Sequence, residues 1–196
     1  MALLGRILRS NKGQSLIEIS LIAPLMLALA YGAIEVGSVI STYLTMSHTT
    51  REGANLASRG TPPDQTLDAI IAAAAPTIRE GASGNEPQWR IIYSRIIPDP
   101  VNPGTTEPYN FIVDNNPDPA NPGQILRGTL NKASKLGTPG TQVTQTVLPG
   151  IQNVKAGQTF DVIEVFYDYA PSIVTYIGKG INTDFYERTI FTHVSN

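Results

Sequence analysis

The apolar pattern of the chain changes character along its length. From Leu16 to Tyr31 apolar side chains follow one another almost without interruption. Further on, Val36, Ile40, Tyr43, Thr50, Ala54 and Ala57 recur at mostly helical spacing. Beyond Ala30 no helix breaker intervenes until Gly60 and the Pro62-Pro63 pair, so the pattern predicts one long helix from about residue 15 to 58. Thr61-Pro62-Pro63-Asp64 reads as a second helix start. Thr61 is the expected cap, proline takes the first turn without losing a bond, and Asp64 suits the positive end. "LDAIIAAAA" then predicts a short helix that Pro76 kinks or ends, with small residues at 72 to 75 for close packing.

Alternation takes over afterwards. "QWRIIYSRII" (88–97), "FDVIEVFYDY" (160–169) and "DFYERTIFTHV" (184–194) read as strands, and "YNFIV" (109–113) and "TQVTQTVL" (141–148) as shorter ones. In the 160–169 strand, Ile163, Val165, Tyr167 and Tyr169 share one face, and Val162, Glu164, Phe166 and Asp168 the other. Three good strands after two helices predict an α+β fold. It has a long N-terminal helix, a short second helix, and an antiparallel sheet packed on the outer half of the long helix. "PDPVNPG" (98–104) returns as "PDPANPG" (117–123). Each Asn-Pro-Gly suits a type II turn, so 98–123 is expected to be a Pro-rich surface loop region that projects "YNFIV" as a hairpin.

Charge sharpens the N-terminal reading. Arg6, Arg9 and Lys12 precede the apolar run, and between Glu18 and Glu35 sixteen residues carry no formal charge. A helix puts those glutamates about 25 Å apart, close to the depth of a bilayer core. The basic flank would stay cytoplasmic and the C-terminus outside. Three readings fit: a plain anchor, a secretory signal cut at Ala28-Leu29-Ala30 that releases a soluble binding domain, or a processed prepilin. Glu18 is the awkward residue, since a carboxylate in the apolar span costs about 2.5 to 3.5 kcal/mol unless it meets a cation. Snorkelling to the headgroups would also relieve it.

The stretch "SNKGQSLIEISLIAP" resembles the type IV pilin processing signal: a short basic leader, Gly13 at the cut, Glu18 fifth after it, then an apolar helix. In detail "GQSLIEISLIAPLMLALAYGAIEVG" looks most similar to the TadE-like family of minor pilins and pseudopilins of the Tad (tight adherence) system. Glu18, Pro24 six residues later, Glu35 and Gly37 carry the match, while Ile19 and Ser20 depart from it. "SHTTREGANLASRG" resembles the family's helix end through Arg51, Glu52, Gly53, Ala54 and Arg59. The likeness is good over residues 12 to 60, weaker over 158 to 194, and absent between.

The resemblance implies a leader at 1–13, a transmembrane and assembly helix at 14–60, and an extracytoplasmic domain at 61–196. It implies cleavage between Gly13 and Gln14 by a membrane prepilin peptidase. Glu18 would pair with the new Gln14 amine of a neighbouring subunit, and Glu35, Arg51 and Glu52 are candidate intersubunit contacts. Implied partners are other pilins and pseudopilins, the assembly platform of the inner membrane, and the bilayer. The implied role is pilus assembly, adhesion and surface attachment as a minor subunit. A major structural subunit of a pilus or pseudopilus remains the alternative beside the secreted domain.

Other chemistry changes little. A net charge of -2 points away from nucleic acid, and the chain has no cysteine for disulfides or thiolate sites. His48 and His193 are the only histidines, so a multi-histidine metal site within one chain is excluded. No phosphate-binding loop or nucleophile elbow occurs. Asp161 and Glu164 are expected on a half-exposed strand. The cluster Asp114, Asn115, Asn116, Asp118 and Asn121 has ordinary turn composition and no EF-hand spacing for calcium. The expectation is a chain without enzymatic activity or cofactor.

Overall fold

The computed structural model describes residues 11–75, 88–101, 110–116, 122–149, 151, 157–169 and 184–192, with side chains from Gln14 onward. Helix α1 spans Asn11–Ser58 and α2 spans Pro63–Ala74. The strands are β1 (Gln88–Pro98), β2 (Phe111–Val113), β3 (Gln124–Gly128), β4 (Gln142–Val143), β5 (Phe160–Asp168) and β6 (Asp184–Thr192). The chain divides into two compact units, residues 1–40 with 171–180, and residues 41–170 with 181–196. The described residues of the first unit all belong to α1.

The helix ends obey local chemistry. Gly60 takes φ 81°. The Thr61 amide reaches back to the Leu56 carbonyl, and the Gly60 amide to that of Ala57. This is the Schellman arrangement that a glycine at that place permits. Thr61 does not cap α2. The cap position is Pro62 and makes no side-chain bond, and Pro63 occupies the first turn with Asp64 behind it. Two prolines leave fewer orphan amides to satisfy, so a hydroxyl cap has less to do.

Among the described residues the sheet has six antiparallel strands in the order β4-β2-β1-β5-β6, with β3 also on β1. The strands expected at 88–97, 160–169 and 184–194 appear within a residue or two, though residues 193 and 194 lie outside the described residues. Of the 141–148 expectation only Gln142–Val143 is strand. The chain then turns, with the Val147 and Leu148 amides both donating to the Thr144 carbonyl. β3, with only Ile125 and Leu126 as apolar strand formers, escaped the pattern.

β1 is the axis. One edge pairs with β5 along nearly its whole length, while the other is shared by β3 at residues 90 to 94 and β2 at 96 to 98. Arg95 is the handover point: its amide donates to the Gly123 carbonyl at 2.7 Å and its carbonyl accepts from the Asp114 amide at 2.8 Å. Two expectations fail here. β2 is buried within the sheet rather than projecting as a hairpin. Gly123 is buried rather than a surface turn, and its φ is not positive, so it is not the glycine of a type II turn. Glycine is needed there for space, since a Cβ would lie 2.2 Å from the Asp114 carbonyl oxygen.

Both sheet faces are covered. On one, Met46 of α1 with Leu67 and Ile70 of α2 packs on Ile91, Tyr93, Ile163 and Val165. Gly53 lets the helices close, because a Cβ there would come within 2.2 Å of Ile70 Cδ1. On the other face Leu136, Leu148 and Ile151 pack with Ile96, Phe111, Val113, Val143 and Val162 of the sheet, while Leu130 meets Ile92 and Phe166. The α+β class and the split of β5 residues between faces are therefore as the alternation predicts.

Gly123→Ala should destabilise the folded unit by about 1–3 kcal/mol, since backbone rather than a flexible side chain must yield. Urea unfolding in detergent, followed by the single tryptophan, Trp89, checks this. An unchanged midpoint would contradict the handover geometry.

Candidate functional site: the apolar helix and the buried polar clusters

From Gln14 to Tyr31 every side chain of α1 is exposed. Leu16, Ile19, Leu21, Leu25 and Leu29 each show 60% or more of their surface, so the helix is apolar on all sides. Such a helix is long and apolar enough to cross a membrane, compatible with a single-pass protein. Burying each leucine or isoleucine is worth about 1.5–3 kcal/mol, so this surface is strongly driven out of water. Pro24 lies inside the helix and brings no amide to the Ser20 carbonyl. The Ser20 hydroxyl donates instead to the Ile17 carbonyl at 2.8 Å.

Of the candidate site residues the structure brings together two. Gln14 Nε2 donates to Glu18 Oε1 at 3.2 Å, a one-turn contact on an exposed surface. The Gly13–Gln14 peptide lies in the helical start of α1, which begins at Asn11. Arg6 and Arg9 lie outside the described residues, as does the side chain of Lys12. Glu35 is half-buried, whereas Arg51 and Glu52 are exposed and make no ion pair with a described residue. His48 is exposed, and His193 lies outside the described residues. Of the Asp/Asn cluster, Asp114 is buried and accepts the Asn116 amide at 3.0 Å, while Asp118 and Asn121 lie outside the described residues. Among the described residues no three metal-capable side chains gather.

Two polar clusters that pattern reading missed sit in the core. Asp161 and Glu164 were expected half-exposed; they are 2% and 0% exposed, because β5 is covered on both faces. Strand parity sends them to opposite faces, so they do not form a carboxylate pair. Asp161 accepts from Tyr93 Oη at 2.5 Å and Arg95 Nε at 3.1 Å, and Arg95 Nη2 donates to Tyr93 Oη at 3.0 Å. Burial, then the Asp161 charge, pushes the Tyr93 hydroxyl far above the usual tyrosine range. Burial works most strongly against the Arg95 charge, yet Tyr93 and Asp161 outweigh it, and the guanidinium is held protonated more firmly than usual.

On the opposite face Glu164 accepts from the Ser134 hydroxyl, the Lys135 amide at 3.1 Å and Tyr186 Oη at 2.9 Å. The Lys135 ammonium lies 3.4 Å from the centre of the Tyr186 ring. Burial, then the Glu164 charge, raises the Tyr186 hydroxyl, which keeps it a donor. The carboxylate thus fastens the 130–137 segment to the sheet. The available signal was a glutamate inside "VIEVF", apolar at both strand parities.

Asp161→Ala should cost about 3–5 kcal/mol, because the buried Arg95 charge and the Tyr93 hydroxyl lose the carboxylate that both bond. Glu164→Gln should cost about 1–3 kcal/mol, since an amide offers one oxygen to three donors. Denaturant midpoints measure both. Losses within experimental error would show that neither cluster holds the fold.

Residues 13–55 match the family model described as TadE-like protein. The matched span begins at Gly13 and ends inside α1, and it supports a Tad pilus-associated protein. Neither curated proteins nor solved structures give a match.

Proposed function

We propose, from the TadE-like span that opens at Gly13, that the chain is a prepilin-type minor subunit of a Tad-type pilus or pseudopilus. In this reading residues 1–13 form a leader, and prepilin peptidase cuts between Gly13 and Gln14. The mature helix sits in the inner membrane until it enters the filament, and the folded unit lies on the extracytoplasmic side. Its work is assembly and surface attachment, done by packing and pairing rather than by catalysis. The observation that carries the reading is the coincidence of three boundaries. The family match begins at Gly13, the basic residues end at Lys12, and the fully exposed apolar helix follows at once.

The chemistry runs as follows. The scissile peptide begins in a helix, so cleavage requires the first turn to open. Gly13 lowers the cost of opening, since glycine destabilises a helix by about 1 kcal/mol relative to alanine. Cleavage leaves an ammonium group on Gln14. Glu18, exposed and accepting, among the described residues, from the Gln14 side-chain amide, is then an anion available to the ammonium of an adjacent subunit. In an apolar surrounding that pair relieves both charges and fixes the axial register of one helix against the next. Glu35, Arg51 and Glu52 offer further contacts between subunits, worth less where water reaches them.

Gly13→Leu should leave an unprocessed, membrane-retained band, because a pocket fitted to glycine rejects the larger side chain. Normal maturation on a gel would remove the prepilin reading. Glu18→Ala should separate stability from assembly: the protein accumulates and matures as wild type, while surface filaments are lost. Normal filaments at normal protein levels would sink the pairing mechanism and leave snorkelling as the explanation of Glu18.

A further inference from the structure

The cut proposed above makes Gln14 the first residue of the mature chain, and a glutamine at that place can react with itself. Its α-amine attacks its own side-chain carboxamide. The amine nitrogen bonds to Cδ, the Cδ–Nε2 bond breaks, and Nε2 takes a proton from the amine and leaves as ammonia. A five-membered lactam closes. Nothing is oxidised or reduced, and no further reactant is consumed. The product has no ammonium group.

The structure shows what opposes the ring. Gln14 Nε2 donates to Glu18 Oε1 at 3.2 Å, so the carboxamide is directed along the helix toward residue 18. Four residues are about 6 Å of helical rise. A carboxamide that reaches that far cannot also fold back onto its own nitrogen, so the ring closes only after this hydrogen bond breaks. The cut makes the link matter more. Without residues 1–13, the amides of Ser15, Leu16 and Ile17 lose the helical carbonyls of residues 11 to 13. The helix then begins with the bond from the Glu18 amide to the Gln14 carbonyl, and the side-chain link closes that same turn. Both side chains are exposed, so water competes for the contact and its hold is modest.

We infer that Gln14 of the mature chain closes spontaneously to a lactam, and that Glu18 is a positioning residue that slows the closure by holding the Gln14 carboxamide one turn along the helix. This rests on the cut between Gly13 and Gln14. Glu18 then acts twice. It keeps the amine of its own chain open before assembly, and it accepts the amine of an adjacent chain during assembly. A subunit whose ring closes first has lost the charge that its neighbour's Glu18 needs, so the time between cutting and assembly limits the supply of competent subunits.

The purified full chain is cut by prepilin peptidase in detergent at pH 8, where an ordinary α-amine is about half unprotonated. The intact mass of the mature chain is then followed with time. Wild type is compared with Glu18→Ala, Glu18→Gln and Gln14→Ser. The glutamine variant still offers Oε1 to the Gln14 amide but carries no charge, and the serine variant cannot form the ring. Where the peptidase refuses a variant at 18, a cleavable amino-terminal fusion exposes Gln14 instead. The expected result is that every chain with Gln14 loses the mass of one ammonia and becomes closed to amine-reactive reagents. Glu18→Ala does so about 1.5 to 2 times faster than wild type, the worth of one exposed contact at this spacing, and Glu18→Gln stays near the wild-type rate. Gln14→Ser keeps its mass. A chain cut at Gln14 that keeps its mass in wild type and Glu18→Ala alike overturns the lactam and leaves the prepilin reading standing. Equal rates in wild type and Glu18→Ala, or a Glu18→Gln rate equal to that of Glu18→Ala, overturn the part given to Glu18. Ammonia loss from Gln14→Ser places the chemistry elsewhere and overturns both parts. A wild-type chain that the peptidase leaves beginning at Met1 overturns the prepilin reading, and the inference with it.

Discussion

A helix that is apolar on every side has to leave water, and the rest of this protein is arranged around that requirement. Between Leu16 and Leu29 no face of α1 is polar enough to be the solvent side of an ordinary amphipathic helix. Its backbone satisfies itself, so the segment can enter lipid without a partner, except at the Ser20 carbonyl opposite Pro24. Glu18 is the one formal charge between Gly13 and Ile34, and on this account its cost is what gives it a use. In apolar surroundings a carboxylate that finds a cation only on the next subunit favours assembled over free helices.

The same helix continues to Ser58, and residues 41 to 58 belong to the folded unit. There the chemistry reverses. Thr42, Met46, Thr49, Thr50, Gly53, Ala54 and Ala57 are buried, small or self-satisfied. The Thr49 hydroxyl bonds back to the Thr45 carbonyl at 2.8 Å, and Thr50 to that of Met46, so neither leaves an orphan donor in the core. One continuous element thus presents an unpartnered apolar surface in one stretch and a finished packing face in the other. The buried Asp161 and Glu164 clusters fasten opposite faces of β5, which ties that strand into the packing on both sides of the sheet.

What was legible in the sequence was what periodicity and local chemistry control. The long helix, the strands around 88, 160 and 184 and the α+β class follow from patterns of 3.6 and 2 that tertiary packing does not override. What was not legible depends on partners distant in sequence. The burial of Glu164 needs the 130–137 segment laid over the sheet, and nothing local announces that. Gly123 reads as a turn glycine, and only the approach of Asp114 shows that its missing Cβ is the point. β3 is short, and it exists because β1 has a vacant half-edge for it. Of the assembly residues, the structure places Gln14 beside Glu18; the other assigned roles concern neighbouring subunits and are proposals on the TadE-like span.

The most direct measurement is the N-terminal sequence and intact mass of the protein extracted from membranes of cells with an active prepilin peptidase. The account predicts a mature chain that begins at Gln14, with or without a methyl group on its amine, and retains α1 whole. A chain that begins at Tyr31 would show cleavage after Ala30 and a released soluble domain, and one that still begins at Met1 would show an uncleaved anchor. Either result would contradict the claim that the carboxylate at Glu18 waits for an amine made by the cut at Gly13.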